Sequence, residues 1–281
     1  MDYTTIISVS DLSNHLDDSN WAIVDCRFYP LEPEQGYQEY LEVHIPGAIY
    51  AHLDQNLSGE IIPGKTSRHP LPDVQEFTET LSSWGIDRQT QVIAYDNSGG
   101  AIAARLWWML RWVGHGCVAV LNGGWSAWIE SGSAQESQES FRSRRQFTPQ
   151  LNPEIEVDTQ FVNEIRLDPE YLLIDARAPE RFLGLEEPID SIAGHIPGAV
   201  SAPYSKNLTE DGYFQPDEVL SERYRDLLGD YSPIKTILYC GSGVTAIHNI
   251  IAMVQVGYEM PKLYPGSWSE WITDPARPIA P

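Results

Sequence analysis

The chain has 281 residues, a length that suggests about two domains, and 42% of them are hydrophobic, enough for two ordinary cores. Eighteen basic residues stand against 40 acidic ones, a formal charge of −22, which disfavours nucleic acid and anionic membrane as partners. Three cysteines, Cys26, Cys117 and Cys240, lie far apart without CxxC spacing, which argues against a disulfide scaffold or structural zinc site and fits a reducing compartment.

In chain order, MDYTTIISVSDLSNHLDD carries acids throughout and has no basic n-region, so it does not read as a signal or transit peptide. No apolar run approaches the roughly 18 residues that span a bilayer. The expectation is a soluble cytoplasmic protein. Trp21–Arg27 reads as an apolar strand ending in Asp25-Cys26-Arg27. His44-Ile45-Pro46-Gly47-Ala48, Asn56-Leu57, the strand and loop Gln91–Gly99, and Gly124-Trp125-Ser126-Ala127-Trp128 follow. Residues 130–154 are rich in Ser, Gln and charge, as expected of an exposed linker.

Each block then returns. Leu172–Arg177 repeats the strand ending in Asp-x-Arg, His195-Ile196-Pro197-Gly198-Ala199 repeats the turn, and Asn207-Leu208 repeats Asn56-Leu57. Lys235–Gly243 repeats Gln91–Gly99, and Ser267-Trp268-Ser269-Glu270-Trp271 repeats the Trp pair. The offset stays between 143 and 151 positions over five blocks in one order, the mark of a duplicated fold. Strand, loop and helix alternate within each copy, which predicts parallel α/β domains with helices on both faces. The expected boundaries are 1–135, a linker at 136–154, and 155–281.

The copies differ where it matters chemically. Thr236-Ile237-Leu238-Tyr239 reads as a buried parallel strand, Gly241-Ser242-Gly243 as a turn, and Val244, Ile247, Ile250, Ile251 and Val254 as a helix face. Cys240 thus falls at a strand-to-helix junction. Unpaired N–H groups there, curled inward by glycines, form an anion-binding nest. A sulfur at its centre is expected to be a thiolate and a nucleophile. The first copy has Asp96 at the matching place, and a carboxylate cannot do thiolate chemistry. Only the second copy can carry the nucleophile.

Asp-x-Arg, His-Ile-Pro-Gly-Ala, the strand ending in Cys240 with its six-residue loop, and Gly266-Ser267-Trp268-Ser269-Glu270-Trp271 together resemble tandem-domain rhodanese-type sulfurtransferases over nearly the whole chain. The resemblance implies an α/β fold of two tandem rhodanese-like domains. Cys240-Gly241-Ser242-Gly243-Val244-Thr245 is similar to the loop of the 3-mercaptopyruvate branch; the thiosulfate branch has basic residues after the Cys. A dianion such as thiosulfate should prefer cations at the loop, whereas mercaptopyruvate has one carboxylate and needs a proton relay.

The resemblance further implies catalytic roles for Cys240, Ser242, His69 and Asp54. It implies substrate binding by Arg181 and by the loop residues Gly241, Gly243, Val244 and Thr245. The family's second Arg, expected after Glu187-Pro188, is replaced by Ile189, and Arg68 is a candidate replacement.

The implied reaction is attack of the Cys240 thiolate on a small-molecule sulfur donor, giving a persulfide and pyruvate, with Ser242, His69 and Asp54 passing the proton. The sulfur then goes to thioredoxin, a small thiol or cyanide. No metal or organic cofactor is required. The site is expected in the cleft between the copies. Thiosulfate:cyanide sulfur transfer and a non-catalytic persulfide carrier are the alternatives.

Other residues have plainer readings. His44, His195, Asp25, Arg27, Asp175 and Arg177 occur in both copies and read as structural. The tryptophans and Cys26 read as core, and Cys117 should be buried. His69 without the resemblance is a loop histidine. A Cys-x5-Arg phosphatase is disfavoured because the position six after Cys240 is Ala246. Gly241–Ala246 formally fits a dinucleotide-binding G-x-G-x-x-A with Glu259 beyond, but too little chain follows to complete that sheet.

Overall fold

Continuous apolar runs make strands that are buried on both faces, and such strands suit parallel sheets covered by helices. The computed structural model describes residues 2–281, which fall into two compact units. Of the described residues, unit 1 comprises those up to 59, 72–152 and 210–214; unit 2 comprises 60–71, 153–209 and 215–281.

The sheet of unit 1 has β1 (Ile6–Ile7), β2 (Trp21–Asp25), β3 (Ile49–Tyr50), β4 (Gln91–Tyr95) and β5 (Val118–Leu121), in the order β1-β5-β4-β2-β3. Unit 2 has β6 (Leu172–Asp175), β7 (Val200–Ser201), β8 (Thr236–Tyr239) and β9 (Lys262–Leu263), in the order β7-β6-β8-β9. Every pairing between these strands is parallel.

The duplication holds at the level of register. Asp25 pairs with Tyr95 and Val24 with Ile49; Asp175 pairs with Tyr239 and Ile174 with Val200. The counterpart of β1 is reduced to a single parallel bridge, Glu156 to Leu263. The helices Ala103–Trp112 and Ala246–Gln255 follow β4 and β8 and are buried along most of their length. Trp107, Trp108, Trp128, Trp268 and Trp271 are fully buried and Trp112 nearly so, while Trp125 is half-buried.

The repeated motifs brace the sheets. Arg27 forks onto Asp25 at 2.7–3.1 Å and stacks over Trp125. Arg177 does the same with Asp175 and Trp268. The amide of Ile45 donates to Tyr95 Oη, and that of Ile196 to Tyr239 Oη. His44 Nδ1 lies 2.6 Å from the Tyr40 carbonyl and His195 Nδ1 2.7 Å from that of Phe182. Both histidines therefore fix turns, as their occurrence in both copies suggests.

Three boundaries differ from the sequence reading. Residues 136–152 are mostly exposed, but they belong to unit 1. Glu136 bridges to His44, Arg142 donates to Trp21 and Ser19 carbonyls, and Gln150 and Asn152 donate to Val113 and Trp112 carbonyls. Residues 60–71 belong to unit 2 and 210–214 to unit 1. Long loops pack by side-chain contacts that carry no periodic signal. Cys117, one residue before β5, is only half-buried, with its thiol 3.7 Å from Asp2 Oδ2.

Candidate active site

The strand β8 ends at Tyr239, and the chain turns through 240–245 before the helix begins at Ala246. The helix starts two residues later than its apolar pattern, because Val244 and Thr245 are used by the turn. Gly243 has φ +76°, and a Cβ there would lie 2.4 Å from the Pro265 carbonyl oxygen, so this turn requires glycine.

Cys240 is 1% exposed. Burial works to raise its thiol pKa. The Thr245 hydroxyl and the amides of Ser242, Ala246 and Val244 outweigh burial and hold it below the ordinary cysteine value. Cys26 and Cys117 show the contrast: burial pushes both thiols up, Cys26 strongly, with Asp25 and Asp96 adding to it for Cys26 and Asp2 for Cys117.

Unit 1 contains the same ring around a carboxylate. Asp96 Oδ1 accepts from the amides of Ser98 and Gly100, and Oδ2 from Ile102 and Ala103, all at 2.7–2.8 Å. Ser98, Gly100 and Ile102 are the repeat counterparts of Ser242, Val244 and Ala246. Two copies of one backbone thus aim matched amides at the side chain in one position.

Ser242 lies between the sulfur and His69. Its amide faces Cys240, and its hydroxyl lies 2.7 Å from His69 Nδ1. His69 is half-buried and lies in unit 2 with Cys240. The expected boundary of 1–135 would have placed it with the other copy. Its neighbour Arg68 donates its amide to Ser269 Oγ at 3.2 Å. Asp54 belongs to unit 1, on the short helix Leu53–Asn56, where its amide donates to His52 Nδ1.

Arg181 donates to Glu187 through Nε (3.1 Å) and Nη2 (2.7 Å), and through Nη2 to Asp190 at 2.9 Å. Arg68 donates to Asp190 through Nε (3.0 Å) and Nη2 (3.3 Å). A Cβ at Gly241 would lie 2.7 Å from Arg68 Nη2 and 3.5 Å from Arg181 Nη1. Both guanidiniums therefore sit against the Cys240 loop, and glycine at 241 makes room for them. Burial works to raise the Glu187 carboxyl, but Arg181 and the amides of Asp190 and Ile189 hold it below the usual carboxylate range. The Ile189 side chain is exposed, and only its amide takes part.

Sequence reasoning missed Asp190, Glu187 and Ser267. Ser267 has φ +53°, left-handed for a residue with a side chain, and is fully buried. Its hydroxyl accepts from the Cys240 amide at 3.1 Å and donates to the Tyr264 carbonyl at 2.9 Å. Its repeat counterpart is Gly124, φ +54°. That Gly-to-Ser difference was the available signal.

Comparison with known proteins agrees with this architecture. The family model described as "Rhodanese-like domain" matches twice, at residues 8–131 and 159–274. A Pseudomonas aeruginosa protein named "Probable 3-mercaptopyruvate sulfurtransferase" is 42% identical over 281 residues, covering 100% of this chain and 99% of the relative. The thiosulfate sulfurtransferase of Rattus norvegicus is 33% identical over 256 residues, covering 89% and 84%. The crystal structure of the 3-mercaptopyruvate sulfotransferase SseA from Escherichia coli superposes with a TM-score of 0.82 at 31% identity, covering 95% of this chain and 100% of that one. The chain belongs to the rhodanese-like family. Within it, the chain is a tandem-domain sulfurtransferase.

Proposed function

We propose that this enzyme takes a sulfane sulfur from 3-mercaptopyruvate onto Cys240 and passes it to a thiol acceptor. The observation that carries this reading is a sulfur held by three amides and the Thr245 hydroxyl, with Ser242 joining it to His69. The Cys240 thiolate attacks the donor sulfur, the carbon–sulfur bond breaks, and its electron pair leaves on pyruvate enolate. The donor's thiol proton ends on the enolate carbon, through Ser242 and His69. Pyruvate and a Cys240 persulfide result, with charge conserved. The ring that holds the thiolate also holds the persulfide, a preorganised electrostatic site.

Arg181 orients the donor carboxylate, with Arg68 as its second arm. Cys240 is 1% exposed, so the donor displaces covering side chains on its way in. Arg68 packs on Gly241 and its side chain is one-third exposed, which places it to move. The acceptor is thioredoxin, a small thiol or cyanide. All three cysteines are free, which supports work in a reducing compartment such as the cytoplasm. Among the described residues no helix is long and apolar enough to cross a membrane.

The test is Cys240→Ser. Pyruvate release should vanish while circular dichroism is unchanged; retained release refutes the assignment. A side-by-side assay with thiosulfate decides the donor class, and mass spectrometry of Cys240 after donor treatment alone separates an enzyme from a carrier that accepts sulfur without turnover.

A further inference from the structure

We propose that Asp190 determines donor specificity: by joining Arg68 to Arg181 it cancels the charge of the clamp beside Cys240, so that donors with one negative charge are accepted and dianions are disfavoured. This rests on the reading that donors dock against these arginines.

A continuous chain of contacts runs Asp175–Arg177–Glu187–Arg181–Asp190–Arg68. Arg177 reaches Glu187 at 3.3 Å, and the other links are those given above. Three guanidiniums face three carboxylates. The carboxylates are not a solvated rim: the side chains of Asp190 and Glu187 are 3% and 4% exposed. Asp190 is also fixed from behind, since its own amide donates to Glu187 Oε1 at 3.0 Å.

The consequence for a donor is specific. Asp190 takes Nε and Nη2 of Arg68 and Nη2 of Arg181. Nη1 of each arginine, which has no hydrogen-bond partner among the described residues, remains for the donor. Those two groups can grip one carboxylate. A second negative charge finds no uncompensated cation and meets the Asp190 carboxylate, and like charges at such range repel. A clamp with two unpaired arginines would instead favour a dianion. Arg68 alone therefore does not make a thiosulfate-type site, because Asp190 comes with it.

The experiment compares wild type, Asp190→Asn and Arg68→Gln with 3-mercaptopyruvate and thiosulfate. D190N keeps the shape and removes one negative charge. It should raise thiosulfate kcat/KM relative to 3-mercaptopyruvate at least about tenfold, mainly through KM, the scale of one half-screened charge contact. R68Q leaves a carboxylate in excess, so the ratio should move the opposite way. A merely structural role predicts equal losses with both donors, and that result, or a ratio moving toward 3-mercaptopyruvate in D190N, overturns the proposal.

A binding arm separates this from failure of the functional reading. In a C240S background, calorimetry with sulfate and pyruvate needs no turnover. D190N should tighten sulfate against pyruvate by a similar factor, and unchanged relative affinity refutes the role of Asp190 even if neither donor turns over.

Discussion

Thr245→Val is the sharpest test of how Cys240 is kept reactive. Valine preserves the β-branched shape and removes only the hydroxyl that faces the sulfur. A hydrogen bond to a charged group contributes about 1.5–3 kcal/mol. At about 1.4 kcal/mol per pH unit, its loss should raise the thiol pKa by about one to two pH units. The three amides remain, so the value should still lie below that of a buried cysteine without partners. The assay is the pH dependence of iodoacetamide alkylation, followed at the Cys240 peptide. Cys26 serves as an internal control, since burial raises its thiol. The T245V inflection should move up, and Thr245→Ser should move it back. An inflection that stays at the wild-type position would show that the hydroxyl does not act on the thiolate.

Asp96→Cys places a thiol in the unit 1 ring; its alkylation pKa should fall below the ordinary value but above that of Cys240, because Ala101 stands where Thr245 would be. A folded state that lowers the Cys240 pKa gains stability that is fully present above the unfolded-state value and is lost as pH falls through the lowered one. The stability of wild type relative to C240A should therefore decline over that window in urea melts; a difference independent of pH would count against a bound thiolate. Arg177→Met leaves Asp175 buried without its partner and should cost about 3–5 kcal/mol in unfolding free energy. Ser267→Gly relieves the left-handed strain but frees the Cys240 amide, so it should keep stability better than Ser267→Ala while both variants slow persulfide formation; equal rates to wild type would make Ser267 a packing residue.

The duplication, the strands and the Cys240 loop were legible because each is a local pattern. An apolar run, a glycine turn and a helical repeat follow one another, and the second copy offers a check. The comparison of Asp96 with Cys240 singled out the candidate nucleophile without any coordinates. The rest depended on tertiary docking. Residues 60–71 look like any polar loop, yet their position in unit 2 decides the partners of Arg68 and His69. Asp190 is one acid among 40 acidic residues, and nothing near it marks a residue that collects two arginines. The missing arginine at Ile189 pointed to this neighbourhood and to Arg68 as a candidate, but not to Asp190, which Arg68 reaches from a segment more than a hundred positions away.

The two rings also show what does not make this site catalytic. Three matched amides point inward in both units, so the nest itself selects an anion and not a chemistry. A serine follows two residues after the anionic group in each copy, Ser98 and Ser242, so the serine is not the distinguishing part either. Among the described residues the Ser98 hydroxyl reaches only Asn97, at 3.4 Å, whereas Ser242 reaches His69. The differences that matter are few: sulfur for carboxylate, Thr245 for Ala101, Ser267 for Gly124, and a histidine brought to the serine by residues 60–71. Each bears on the charge or position of one sulfur atom.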